Sequence, residues 1–125
     1  YRALGMRVGN DVSVGLAVTF DVFFPEKISI GDNSIIGFNT TVLTHEALLD
    51  EMRIGPTVIG RNVMIGANCT LLAGVTIGDG AVVSAMTLVN DDVPPGAMVG
   101  GVPFRILRSS RPQVEQNESA ATGDQ

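Results

Sequence analysis

Residues Val58 to Val83 read V-I-G-R-N-V-M-I-G-A-N-C-T-L-L-A-G-V-T-I-G-D-G-A-V-V, and within them every sixth residue is aliphatic. The series runs Ile59, Ile65, Leu71, Ile77 and Val83, and continues to Val89. Gly follows at Gly60, Gly66 and Gly78. Two residues before each later member stands a small or β-branched residue, or Cys: Val63, Cys69, Val75, Ala81 and Thr87. Towards the N-terminus the same period returns in Val8, Val14 and Phe20, then in Phe24, Ile30, Ile36 and Val42. Its register shifts twice, near Asp21–Pro25 and between Leu43 and Val58.

A period of six fits neither one helix nor one long strand. The Gly and β-branched content also opposes a helix. Residues two apart, such as Val63 and Ile65, point to one face of a short strand, and Gly-Asp-Asn, Gly-Arg-Asn and Gly-Asp-Gly supply turn chemistry. Each hexad therefore reads as a short strand and a corner. Three hexads close a triangle of about eighteen residues, and such coils stack at roughly the 4.8 Å strand spacing. The expected fold is an all-β solenoid of roughly five coils, in which each coil buries its apolar face against its neighbours. Strands of a β-sandwich recur at longer intervals, about every 8–12 residues.

Composition agrees with one small domain. The chain has 125 residues, 45% of them hydrophobic and 17% charged, with 15 Gly, no Trp and a single Tyr. The core must come from Val, Ile and Leu. The net charge of −5 argues against general binding to nucleic acid or to anionic membranes. One Cys and one His exclude an intrachain disulfide, a Cys-based zinc site and any site needing several imidazoles from one chain. No run is long enough to span a bilayer and no signal-peptide pattern stands at the start, so a cytoplasmic location is expected. Residues 1–108 are expected to form the domain. Residues 109–125 are polar, with Val114 their only large aliphatic residue, and are expected to stay disordered or to order only against another subunit.

His45 sits where T-H-E-A-L-L-D-E-M-R-I-G-P interrupts the repeat. Packing gains nothing from such an interruption, and loops on rigid scaffolds are where function concentrates. Acylating an oxygen requires a base able to take a hydroxyl proton near neutral pH, and imidazole suits that task. Glu46 and Asp50 lie beside it, and either could orient the ring by accepting its N–H, as could a backbone carbonyl. Cys69 falls at an inward position and reads as core. The Gly pairs form no dinucleotide fingerprint, because no helix pattern follows them.

Three stretches, Val58 to Val83, D-V-P-P-G (Asp92 to Gly96) and G-V-P-F-R-I-L-R (Gly101 to Arg108), resemble the hexapeptide-repeat acyltransferases, above all the galactoside and maltose O-acetyltransferases. The resemblance covers roughly Met6 to Arg108. It implies a left-handed parallel β-helix with one extended loop and a short C-terminal helical cap. It implies acetyl transfer from acetyl-CoA to a hydroxyl, that of a sugar in that branch, with His45 as general base and no metal. It also implies a homotrimer with active sites between subunits. Ala67 falls where these enzymes carry a Ser that touches the cofactor, so only a backbone contribution remains there, and Met64 stands where many have Trp. Ala85 matches a position whose backbone meets the pantetheine arm. Asn90 and Asp91 match a Thr-Lys pair, and Asp91 puts an anion in place of the cation. Arg105 and Arg108 match arginines at the nucleotide end of CoA, and on a helical turn a spacing of three puts them on one face. Serine or antibiotic acetyltransferases of the same fold use similar chemistry, and a non-catalytic scaffold would share the repeat. The carbonic-anhydrase-like branch needs three His ligands that a single His cannot supply.

Overall fold

The computed structural model describes residues 5–21, 23–47 and 52–109. The first coil contains β1 (Arg7–Val8), β2 (Ser13–Val14) and β3 (Thr19–Phe20), and the second β4 (Ile28–Ile30), β5 (Ile35–Ile36) and β6 (Thr41–Val42). An excursion of two strands follows, β7 (His45–Ala47) and β8 (Met52–Ile54). The third coil contains β9 (Thr57–Ile59), β10 (Met64–Ile65) and β11 (Thr70–Leu71), and the fourth β12 (Thr76–Ile77), β13 (Val82–Val83) and β14 (Leu88–Val89). The chain ends with β15 (Met98–Gly100) and β16 (Arg105–Arg108).

The strands sort into three sheets that the chain visits in turn, one layer further each time. The first sheet has the order β1-β4-β9-β12, the second β16-β15-β13-β10-β5-β2 and the third β14-β11-β6-β3. Every pairing within them is parallel except that of β15 with β16. A parallel bridge from Ile77 to Val93 extends the first sheet by one more layer. These parallel sheets are consistent with the β-helix that the hexad predicts.

Register gives the coil length directly. Val58 pairs with Thr76, Met64 with Val82 and Thr70 with Leu88, each 18 residues on. Ser13 pairs with Ile35, 22 on, and Ile35 with Met64, 29 on. The extra residues of both long coils lie between the third sheet and the first, at the same corner. They are the two breaks in the sequence period.

The aliphatic members Ile59, Ile65, Leu71, Ile77, Val83 and Val89 are all buried, as are Val63, Cys69, Val75, Ala81 and Thr87 between them. Burying a side chain of this size is worth about 1.5–3 kcal/mol, and the stack repeats that gain in every layer. The buried hydroxyls are satisfied: Ser34 donates to the Gly60 carbonyl at 2.7 Å, Thr57 to that of Leu43 at 2.6 Å and Thr87 to that of Ser84 at 2.6 Å. The corners turn through residues at positive φ, where Asn33, Asn39, Asn62 and Asn68 supply the side chain that best tolerates it. Gly66 answers a different need. A Cβ there would lie 2.6 Å from the Ala85 nitrogen of the next coil, so the spacing of the layers requires glycine.

The C-terminal cap differs from the expected helical turn. Arg105–Arg108 is a strand, antiparallel to β15, with a register irregularity between Met98 and Val99. The open edge of the second sheet offers unpaired backbone groups, and a strand satisfies them where a helical turn would not. The helical ground for placing Arg105 and Arg108 on one face is therefore lost. Among the described residues the only helix is a single 3-10 turn at Pro25–Lys27, and none is long and apolar enough to cross a membrane. Asp50 and the tail beyond Ser109 lie outside the described residues.

Candidate active site

The two insertions meet. In the second, His45 opens β7, which runs antiparallel to β8 with His45 opposite Ile54 and Glu46 opposite Arg53. The interrupting loop is thus a β-hairpin, and alternation along β7 turns the Glu46 side chain to the face opposite His45. The carboxylate that the ring meets is Asp21, from the first insertion, 24 residues earlier. Asp21 Oδ2 bonds His45 Nδ1 and also accepts the Thr44 N–H at 2.9 Å. Its Oδ1 accepts the N–H groups of Phe23 at 2.8 Å and Phe24 at 3.1 Å.

Asp21 is buried, whereas His45 keeps 21% of its side chain exposed. Burial alone would raise the Asp21 carboxyl. The N–H groups of Thr44 and Phe24, the His45 ring and the Phe23 N–H outweigh it and hold the acid well below the usual carboxylate range. An ionised carboxylate only accepts, so the neutral ring must carry its proton on Nδ1, a tautomer assigned from the bonding network. Nε2 then holds the lone pair and can serve as a base. Phe23 and Phe24 flank the ring edge-on, with centroids 5.1 Å and 5.8 Å from that of His45. The pair is thus oriented, partly shielded and still open to a reactant.

The remaining candidates divide between two corners. Ala67 and Ala85 stack in successive coils between the second and third sheets, where the Met86 N–H donates to the Ala67 carbonyl at 2.9 Å. Among the described residues the N–H groups of Ala67 and Ala85 have no acceptor, and neither has that of Phe38 in the coil before, so free amides are a property of this corner. Arg105 lies opposite Gly100, two layers beyond Ala85 at the same corner. Arg105 and Arg108 are exposed, and among the described residues neither is in a salt bridge, the sole pair being His45–Asp21. Asn90 is exposed just after β14, at the far end of the third sheet, on the side of His45. From Ala67 to Leu72 is five residues of nearly extended chain, roughly 16 Å at about 3.3 Å each. One chain therefore brings Ala67, Ala85 and Arg105 together and leaves His45 and Asn90 a full side of the triangle away.

Asp21 was not among the candidates that the sequence put forward. Its signal was present: the two register breaks fall one coil apart, so whatever they insert must stack.

The family model described as bacterial transferase hexapeptide (six repeats) matches residues 56–91. A Bacillus subtilis (strain 168) protein named "Putative acetyltransferase YvoF" is 57% identical over 122 residues, covering 97% of this chain and 71% of that protein. The galactoside O-acetyltransferase of Escherichia coli (strain K12) is 40% identical over 88 residues, covering 65% of this chain and 43% of that enzyme. Among solved structures, the hexapeptide-repeat acetyltransferase VCA0836 of Vibrio cholerae O1 biovar eltor, in complex with acetyl coenzyme A, matches with a TM-score of 0.80 and 39% identity. That match covers 86% of this chain and 62% of the Vibrio chain. The chain belongs to the hexapeptide-repeat acetyltransferase family.

Proposed function

We propose that the protein is an O-acetyltransferase that moves the acetyl group of acetyl-CoA to a hydroxyl of a small acceptor, a sugar, with His45 as general base. The observation that carries this reading is the His45–Asp21 pair, built by two separate insertions at one corner of an otherwise regular stack. Hydroxyl acylation needs a base that can take the acceptor's proton, and an imidazole oriented by a carboxylate supplies one.

In the proposed reaction His45 Nε2 takes the hydroxyl proton as the acceptor oxygen attacks the thioester carbonyl. The C–O bond forms, the C–S bond breaks, and His45 returns the proton to the departing CoA sulfur. The free Ala67 amide is suited to the charge that grows on the carbonyl oxygen. Ala85 and Asn90 would border the donor's arm, and Arg105 and Arg108 would hold its phosphates. No covalent enzyme intermediate is required. Cys69 is buried, burial pushes its thiol up, and its Sγ lies 3.1 Å from the Ser84 carbonyl.

Because Ala67 and His45 occupy opposite ends of the third sheet, a complete site needs His45 from one subunit and the Ala67 corner from another. A homotrimer of left-handed coils would supply three such sites in a cytoplasmic enzyme. Light scattering should give about three times 13.1 kDa for this chain, near 39 kDa. A stable monomer would contradict the shared site. Replacing Arg105 and Arg108 together with Ala should weaken acetyl-CoA binding about tenfold and flatten its salt dependence. Unchanged affinity would remove both from the cofactor site.

A further inference from the structure

The acceptor side of the site holds an aromatic ring that the transfer chemistry does not use. Phe23 is 70% exposed, which leaves a large apolar ring in water with no gain in core packing. It is nevertheless fixed in place. Its N–H is held by Asp21, the carboxylate that also holds His45. Its ring stands at 87° to the imidazole. Ile54, 46% exposed, lies opposite His45 across the hairpin and so on the same face of that ribbon. The base thus opens beside a small apolar surface.

We propose that Phe23, with Ile54 beside it, determines acceptor specificity: its exposed face seats the C–H face of a cyclic acceptor and so presents a ring hydroxyl to His45. An aromatic face is electron-rich, and the C–H groups on one side of a pyranose ring are its complement. The same hydroxyls on an open chain offer no such face. The inference rests on the acetyl-transfer reading and adds the shape of the acceptor to it.

The test follows free-thiol release at saturating acetyl-CoA with methyl β-galactopyranoside and methyl α-glucopyranoside, against glycerol and sorbitol. The wild type should favour the better pyranoside by about tenfold or more in kcat/KM, the size of one good apolar contact. Phe23→Ala should erase that preference through the acceptor KM and leave the KM for acetyl-CoA unchanged. Phe23→Trp should keep it. Equal slowing of all four acceptors by Phe23→Ala would mean that the ring only positions His45, and would overturn the proposal. Release with no preference in the wild type would overturn it too, leaving the transferase reading intact. No release with any acceptor, while acetyl-CoA still binds in calorimetry, would sink both.

Discussion

Replacing His45 with alanine should lower turnover by about 10²–10⁴-fold, the usual loss when a general base is removed. Binding of acetyl-CoA should survive, because the residues proposed to hold it, Ala67, Ala85, Asn90, Arg105 and Arg108, are untouched by the substitution. The fold should survive as well. The His45 side chain lies outside the hydrophobic core, and the hairpin that bears it adds no strand to the three stacked sheets. Titration of the variant with acetyl-CoA separates lost chemistry from lost binding. A variant that turns over an accepted substrate at the wild-type rate would remove His45 from the mechanism.

Asp21→Asn should have the second largest effect. The carboxylate is what keeps the ring proton on Nδ1, and its counterpart in a Ser-His-Asp triad is worth up to about 10⁴-fold in kcat. The expected loss here is about 10²-fold or more in kcat, with the KM for acetyl-CoA unchanged. Glu46→Gln, on the other face of the hairpin, should stay near the wild-type rate. Asp21 also serves the fold, since it accepts the N–H groups of Thr44, Phe24 and Phe23. Its pKa is depressed in the folded state, so its stabilising contribution is complete above the ordinary carboxylate value of 3.8 and fades as pH falls below it. The gap in melting temperature between wild type and Asp21→Asn should therefore narrow on acidification below about 4. A gap that stays constant with pH would show that charge at Asp21 contributes nothing to stability.

Sequence and structure agree where the signal is periodic. Ile59 to Val89 could be assigned to the interior from spacing alone, because each hexad occupies the same place in every coil. His45 stood out because it breaks that spacing. Its partner did not, because pairing Asp21 with His45 depends on how the coils stack across a break of uncertain length. Glu46 drew attention only by being adjacent in the chain, and adjacency along a strand puts neighbours on opposite faces. R-I-L-R misled for a related reason. Two arginines three apart suit a helical turn, but the open edge of the second sheet decides the outcome, and that edge is a property of the assembled stack.

The most direct test of the account is acceptor-dependent release of free CoA thiol from acetyl-CoA, followed side by side for the wild type and His45→Ala. Both proteins should bind acetyl-CoA equally in calorimetry. Thiol release by the wild type should rise with acceptor and that by the variant should fall by about 10²-fold or more. Equal release by the two proteins, or acceptor-independent release by the wild type, would contradict direct transfer driven by His45.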